Sequence, residues 1–395
     1  MGTHKTSIVC KLLPALLIGL DNGGVPCAAE STQAPPKSIA AVLQPFVDSH
    51  SLAGAVTLVA DKTHVLSLET VGYADVAARK PMKPDTLFWI ASQSKSITAA
   101  ALMMLVDEGR IRLDDPVEKY LPEFKGQWLA VEQDREHMLL NKPGHPITVR
   151  EVLSHTSGLP FKSAMEQPTL DQLRLCDAVR SYAMTPLLFE PGSKYQYSNA
   201  GINTVGRIIE VVSGMPFGEF LDKRLFAPLG MKDTTFTPND EQLARLAKSY
   251  KPTATKTGLE ETTITQLKYP LGDRSRQPVP AGGLFSTAAD IGCFCQMILQ
   301  EGIFQGRRYL SEDAVKQMTS KQTGAAVKEG YGLGWSTGGD SFGHGGAFAT
   351  IMVIDVKRGM ITVFLVQHAG FPGDGGKSHA AFRKAAEQLF QNSVK

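Results

Sequence analysis

Residues 97–106 are apolar on every side of a helical wheel, and no charged side chain interrupts them before Asp107. A helix with no polar face is a buried one, so the rest of the chain has to pack around this segment. A 395-residue chain with 43% hydrophobic and 20% charged residues has the material for such a core. What enters the helix matters as much. The apolar stretch 86–90 reads as strand-like and runs directly into Ala91-Ser92-Gln93-Ser94-Lys95, so a serine and a lysine stand at the mouth of a buried helix.

The remaining elements fall at the two ends of the chain and between them. Residues 38–47 read as an amphipathic helix, and 55–60 with 65–71 as a hairpin around Asp61-Lys62-Thr63. The stretch 111–300 is mostly helical. It includes a helix opened by the capping box Thr148 to Glu151, a helix over 202–212 ending at Ser213-Gly214, and a helix over 288–300. Residues 239–280 are polar and irregular, a long loop. Beyond residue 330 a β pattern returns at 332–335, 349–356 and 360–367, the last two joined by Lys357-Arg358-Gly359. A final helix over 378–391 carries Phe382, Ala385, Ala386, Leu389 and Phe390 on one face. The pattern predicts an α/β (α+β) fold: an antiparallel sheet built from N- and C-terminal segments, flanking helices and an inserted helical subdomain. In this reading 38–395 is a single domain, its α/β part about 38–91 and 301–395 and its helical part about 92–300.

Residues 1–29, with Lys5, an apolar stretch broken by Lys11 and Pro14, and the small-residue run Cys27-Ala28-Ala29, resemble a cleaved export signal followed by a linker over 30–37. The expected location is periplasmic or secreted. Pro26 precedes Cys27, which argues against a lipid anchor, and the apolar stretch is too short to span a bilayer. Basic and acidic residues number 41 and 39 and are mixed along the chain, so nothing marks a nucleic-acid or anionic-membrane partner. A small neutral or weakly charged substrate fits better. Cys176, Cys293 and Cys295 remain beyond the leader, an odd number that implies no disulfide framework. The nine histidines are scattered, and no metal or other cofactor is expected. Oligomeric state is not legible.

A Ser-x-x-Lys tetrapeptide occurs about once or twice by chance in a chain this long, so its placement carries the argument. Ser92-Gln93-Ser94-Lys95 is the only one here. Residues three apart share a helical face, which brings the Lys95 amine to the Ser92 hydroxyl, and an apolar setting favours the neutral amine. Such a pair activates a hydroxyl nucleophile without histidine. Tyr197-Ser198-Asn199 is the only Tyr-x-Asn. Lowering a tyrosine pKa from about 10 to about 7 takes roughly 4 kcal/mol, part of which a Lys95 ammonium would supply, while Asn199 would orient a substrate carbonyl. Alternatively, Tyr197 is a half-buried loop aromatic and Asn199 a helix cap. Gly343-His344-Gly345-Gly346-Ala347 precedes a strand; its glycines let a substrate lie along the strand edge, and the Ala347 amide could join that of Ser92 in an oxyanion hole. Alternatively, it is a turn.

These three motifs, in this order, resemble the serine β-lactamase-related superfamily: class C β-lactamases, D-alanyl-D-alanine carboxypeptidases and family VIII-type carboxylesterases. The phrases Leu153-Ser154-His155-Thr156-Ser157-Gly158-Leu159, Pro228-Leu229-Gly230-Met231, Gly282-Gly283-Leu284-Phe285-Ser286-Thr287 and Tyr331-Gly332-Leu333-Gly334-Trp335 extend the likeness over about 38–392. The resemblance implies that Ser92 is acylated, that Lys95 and Tyr197 share its proton, and that the Ser92 and Ala347 amides hold the oxyanion. It places Asn199, His344, Gly345 and Gly346 against the substrate. His344 departs from the lysine usual in class C enzymes, and a neutral imidazole does not grip a β-lactam carboxylate as an ammonium would.

Two further sequences imitate motifs. Lys256-Thr257-Gly258 spells the lactamase triplet but reads as a turn. Gly334-Trp335-Ser336-Thr337-Gly338 spells the α/β-hydrolase elbow, but no helix fits after Ser336. The expected function is hydrolysis of a small ester through an acyl-enzyme on Ser92. The runners-up are a D-amino-acid peptidase, a DD-carboxypeptidase or a weak β-lactamase, and, from another class, a binding protein of the same fold without turnover.

Overall fold

The computed structural model describes residues 38–393; the expected export signal and linker lie outside the described residues. Seven antiparallel strands form the central sheet in the order Ser336–Gly338, Ser341–Gly345, Ile351–Asp355, Met360–Leu365, Gly54–Ala60, Val65–Asp75, Lys80–Pro81. The two ends of the chain meet where Gly54–Ala60 pairs with Met360–Leu365, Val56 opposite Leu365 and Ala60 opposite Ile361. The sheet is therefore assembled from N- and C-terminal segments, as the sequence predicts.

Every residue of Gly54–Ala60 is buried because helices cover both faces of the sheet. Ala55 and Val59 join a cluster with Ile39, Leu43, Phe382 and Ala386 from helices Ile39–Asp48 and Ser378–Ser393. Val56 and Leu58 alternate to the opposite face, where they join Ile97, Ile291 and Cys295 of helices Ser94–Asp107 and Ala288–Leu299. Burial of each such aliphatic side chain contributes about 1.5–3 kcal/mol relative to exposure. The Ser94–Asp107 helix is the apolar one, and twelve of its fourteen residues are buried, Lys95 included.

Helix Asn199–Ser213 packs beside it. Ser198 caps it by accepting from the Gly201 amide, and Gly214 at φ 75° closes it in the left-handed conformation that glycine adopts freely. Asn199 is thus the first helical residue and not the cap. Among the described residues no helix is long and apolar enough to cross a membrane.

Three segments depart from expectation. Residues 239–280 are more ordered than their polarity implied: an Asn239–Gln242 capping box starts helix Asp240–Arg245, and Ser249–Pro252 pairs with Leu259–Thr262. Exposed Lys256 and Thr257 sit in the turn of that hairpin. Residues 332–335 form a loop rather than a strand, because Gly334 at φ 75° lies against the Lys95 carbonyl, where a Cβ would come within 2.7 Å of it. The paired strand begins at Ser336, on the sheet edge, and runs into a hairpin rather than a helix. Finally, the strand-like 86–90 stretch stays outside the central sheet, pairing Phe88–Trp89 with Phe285–Ser286 and bridging Leu87 to Leu246.

Candidate active site

Ser92 sits in the single 3-10 turn Ala91–Gln93, two residues before the α-helix proper. Ala91 has φ 47°, a left-handed conformation that costs a non-glycine residue about 1–3 kcal/mol. The surroundings hold it there: Ser94 Oγ donates to the Ala91 carbonyl at 2.6 Å and accepts the Leu284 amide at 3.2 Å. As a result Ser92 alone, from Ala91 to Leu105, keeps partial exposure.

Lys95 Nζ lies 3.2 Å from Ser92 Oγ, 2.8 Å from Asn199 Oδ1 and 2.6 Å from the Ala281 carbonyl oxygen. No carboxylate is among these partners, and complete burial holds the amine well below its usual pKa of 10.5. A neutral amine has two N–H donors and one lone pair. In that neutral form, which burial favours, Asn199 Oδ1 and the Ala281 carbonyl accept the two N–H groups and leave the lone pair for the Ser92 O–H.

The Tyr197 ring stands with its centroid 4.6 Å from Lys95 Nζ. Burial pushes the Tyr197 hydroxyl above its ordinary pKa of 10, and the neighbouring Ser92 hydroxyl opposes the shift. Burial draws the Lys95 pKa down and pushes that of Tyr197 up, so the setting disfavours both an ammonium that would pull Tyr197 toward phenolate and the phenolate itself.

Behind Tyr197 lies a closed aromatic cluster. The His155 ring is 4.6 Å from both Tyr197 and Tyr331, and its Nδ1 accepts the Ser198 amide. His344 is only 4% exposed. Its Nδ1–H donates to the Gly345 carbonyl at 2.7 Å and its Nε2 accepts the Tyr331 hydroxyl at 3.1 Å. Burial pulls the imidazole down to about 3, with Lys95 adding to the effect. His344 is therefore neutral, and both ring nitrogens are occupied by the chain itself.

Gly345 ends the strand Ser341–Gly345, and Gly346 follows with its amide donating to the Thr350 carbonyl at 2.7 Å. A Cβ on Gly346 would lie 2.5 Å from the Ile90 carbonyl and collide with Thr350 Oγ1. Only glycine brings this backbone against the entrance to the Ser92 turn. The amides of Ser92 and Ala347 have no hydrogen-bond acceptor among the described residues, which leaves both free for a ligand oxygen. Gly346→Ala is expected to lower kcat for a small ester about 100-fold with little change in KM, because it displaces one of the two donors. Steady-state kinetics beside a thermal melt check this; a folded variant with wild-type kcat contradicts the assignment.

Ala281, His155, Tyr331 and Asn203 were not singled out in the sequence. Ala281 acts through its carbonyl, which side-chain identity does not reveal. His155 and Tyr331 lay inside two of the flanking phrases, and Asn203 stands one helical turn beyond Asn199 on the same buried face. Among the described residues no cluster of His, Cys, Asp or Glu is disposed to hold a metal ion.

The sheet with its inserted helices and the cluster beneath it define the class of β-lactamase-fold hydrolases. The Beta-lactamase family model matches residues 39–387. An uncharacterized protein of Mycobacterium tuberculosis is 32% identical over 370 residues, covering 83% of this chain and 89% of that protein. Esterase EstB of Burkholderia gladioli is 26% identical over 386 residues, 87% of this chain and 93% of its own. The solved structure of EstCE1, a hydrolase with promiscuous acyltransferase activity, superposes with a TM-score of 0.73 at 25% identity, over 88% of this chain and 97% of that one. The chain belongs to the Beta-lactamase family.

Proposed function

We propose that this protein is a serine hydrolase that forms an acyl-enzyme on Ser92 and acts best on small carboxylic esters. The observation that carries the proposal is the disposition of Lys95, fully buried with no carboxylate partner, its amine 3.2 Å from Ser92 Oγ and held by the Asn199 Oδ1 and Ala281 carbonyl acceptors. In acylation the Ser92 proton passes to Lys95 as Oγ attacks the ester carbonyl, and the Ser92 and Ala347 amides receive the developing oxyanion. Tyr197 donates its proton to the departing alkoxide and regains one from the Lys95 ammonium. Water then attacks the acyl carbon, gives its proton to the restored base, and Ser92 Oγ leaves and is reprotonated.

Esters are favoured over β-lactams because neutral His344 supplies no fixed cation for a β-lactam carboxylate. The approach is also apolar: Phe161, 40% exposed, stacks on Tyr197 with centroids 6.4 Å apart. EstB, similar over most of the chain, is named an esterase. The test compares p-nitrophenyl acetate and butyrate with a chromogenic cephalosporin and maps a fluorophosphonate adduct by mass spectrometry. Ester turnover far above cephalosporin turnover, with the adduct on Ser92, is expected. Cephalosporin turnover well above ester turnover overturns the substrate ranking, and no adduct on any serine overturns the enzyme.

The pH dependence has a definite sign. The active amine is unprotonated, so activity is lost as pH falls through the Lys95 pKa, which burial places well below 10.5. With His155 and His344 also held neutral by burial, kcat/KM is expected to carry a single acid limb, lying below the pH range in which an ordinary lysine titrates. That limb is expected to vanish in a Lys95 variant with residual activity, as a pH–rate profile checks.

A further inference from the structure

Lys95 is the visible end of a longer buried chain of hydrogen bonds. The Ala281 carbonyl that receives its N–H belongs to a residue whose own amide donates to Asn203 Oδ1 at 3.0 Å. Asn203 Nδ2 donates to the Tyr182 hydroxyl oxygen at 3.0 Å, and that hydroxyl donates to Glu166 Oε1 at 2.7 Å. Glu166 Oε2 accepts the Ser163 amide at 2.8 Å. Next to Ala281, the Pro280 carbonyl is held by Thr98 Oγ1 at 2.8 Å. Tyr182, Asn203 and Glu166 are 0%, 3% and 1% exposed, and among the described residues the one cation that acts on the carboxylate is Lys162.

We propose that Asn203, Tyr182 and Glu166 are positioning residues for Ser92 activation, holding the Ala281 carbonyl where it takes one Lys95 N–H and turns the lysine lone pair onto Ser92. The proposal rests on the reading of Lys95 as the base. Its logic is directional. With Glu166 ionised, a state its burial opposes by raising the carboxyl pKa, the carboxylate only accepts, so Tyr182 must donate to it. The tyrosine oxygen must then accept from Asn203 Nδ2, which leaves Asn203 Oδ1 for the Ala281 amide. Every bond between the carboxylate and the lysine has one permitted sense. A carboxylate buried this deeply is costly to keep, and this arrangement gives it a task at the site. Asn199 and Asn203, four residues apart on one helix, then serve the two acceptors of Lys95, the first directly and the second through Ala281.

Groups facing Lys95 are His155 after the Val149–Leu153 helix, His344 on its strand, and Tyr197 ahead of the Asn199–Ser213 helix; those facing Glu166 are Tyr182 and Lys162. None carries a carboxylate to Lys95, so introducing one has a predictable sign. Asn203→Asp places a buried negative charge one residue from the lysine's partner. A negative charge favours the ammonium and raises its pKa, so the acid limb of kcat/KM is expected to move up by about one pH unit or more. Tyr182→Phe removes a single oxygen and is expected to lower kcat about tenfold with KM within about twofold. Glu166→Gln keeps an acceptor for Tyr182 and is expected to retain more activity than Glu166→Leu.

The experiment measures kcat, KM and pH profiles on p-nitrophenyl butyrate with the full chain, together with the pH dependence of fluorophosphonate labelling of Ser92. Labelling needs only an activated serine. A wild-type protein that is labelled but hydrolyses no ester therefore sinks the ester reading, while the shift of the labelling limb still judges this one. Should Asn203→Asp fail to fold, Tyr182→Phe carries the test. Folded variants with wild-type kcat, wild-type labelling rate and an unmoved limb overturn the proposal.

Discussion

Ser92→Ala is expected to lower kcat/KM for p-nitrophenyl butyrate about 10⁴-fold or more, while Ser336→Ala leaves it within about twofold. The contrast is instructive because both serines sit in recognisable motifs. Ser92 has an amine 3.2 Å from its oxygen and an unbonded amide at its own nitrogen. Ser336 lies in an edge strand paired to Gly343, with no helix behind it. Lys95→Met is expected to match Ser92→Ala in activity but not in stability. It leaves the buried acceptors Asn199 Oδ1 and Ala281 O without a donor, at about 1–3 kcal/mol each. The double variant is expected to be no less active than either single one, since base and nucleophile act as one unit. Steady-state kinetics and thermal melts of the four proteins decide the matter; loss of activity in Ser336→Ala with activity retained in Ser92→Ala would invert the assignment.

Arg276→Ala is expected to destabilise the fold by about 3–5 kcal/mol, which lowers the melting temperature by about 4–7 °C for a chain of this size. Arg276 and Asp171 are 2% and 1% exposed, and Nε lies 2.6 Å from Oδ2. The guanidinium also donates to the Phe236 and Leu271 carbonyls, and Asp171 accepts the Lys268 amide. Removing the arginine strands a buried carboxylate together with two carbonyls. Replacing both charges, as in Arg276→Met with Asp171→Leu, is expected to recover most of the loss, because an apolar pair needs no partner. A single variant that melts like the wild type would show that water reaches the pair and that it does not clasp the 239–280 segment.

This clasp also explains why that segment was misread. Its short elements are polar and carry little hydrophobic period, and what orders them is an ion pair whose halves lie 105 residues apart. The capping box Asn239 to Gln242 is a local signal that the reading of 239–280 as a loop passed over. The 332–335 segment misled for the opposite reason. Its alternation looks like a strand, but Gly332 and Gly334 are there to let a loop approach the backbone of Met318 and Lys95.

Local chemistry made the rest legible. Three-residue spacing puts Ser92 and Lys95 on one helical face whatever surrounds them, and continuous apolarity over 97–106 demands burial. Alternating β segments at the two chain ends call for a shared sheet. All of that follows from periods of two and 3.6 residues and needs no knowledge of distant partners.

How far the Lys95 pKa falls does not follow in that way. It is set by exclusion of water and by the absence of a carboxylate, and the groups that enclose it arrive from 104 and 186 positions along the chain. One of them is a backbone carbonyl that any residue would supply. The amino-acid order therefore determined which atoms could react, and folding in three dimensions decided their protonation, because an ionisation equilibrium responds to solvent and neighbours rather than to position along the chain.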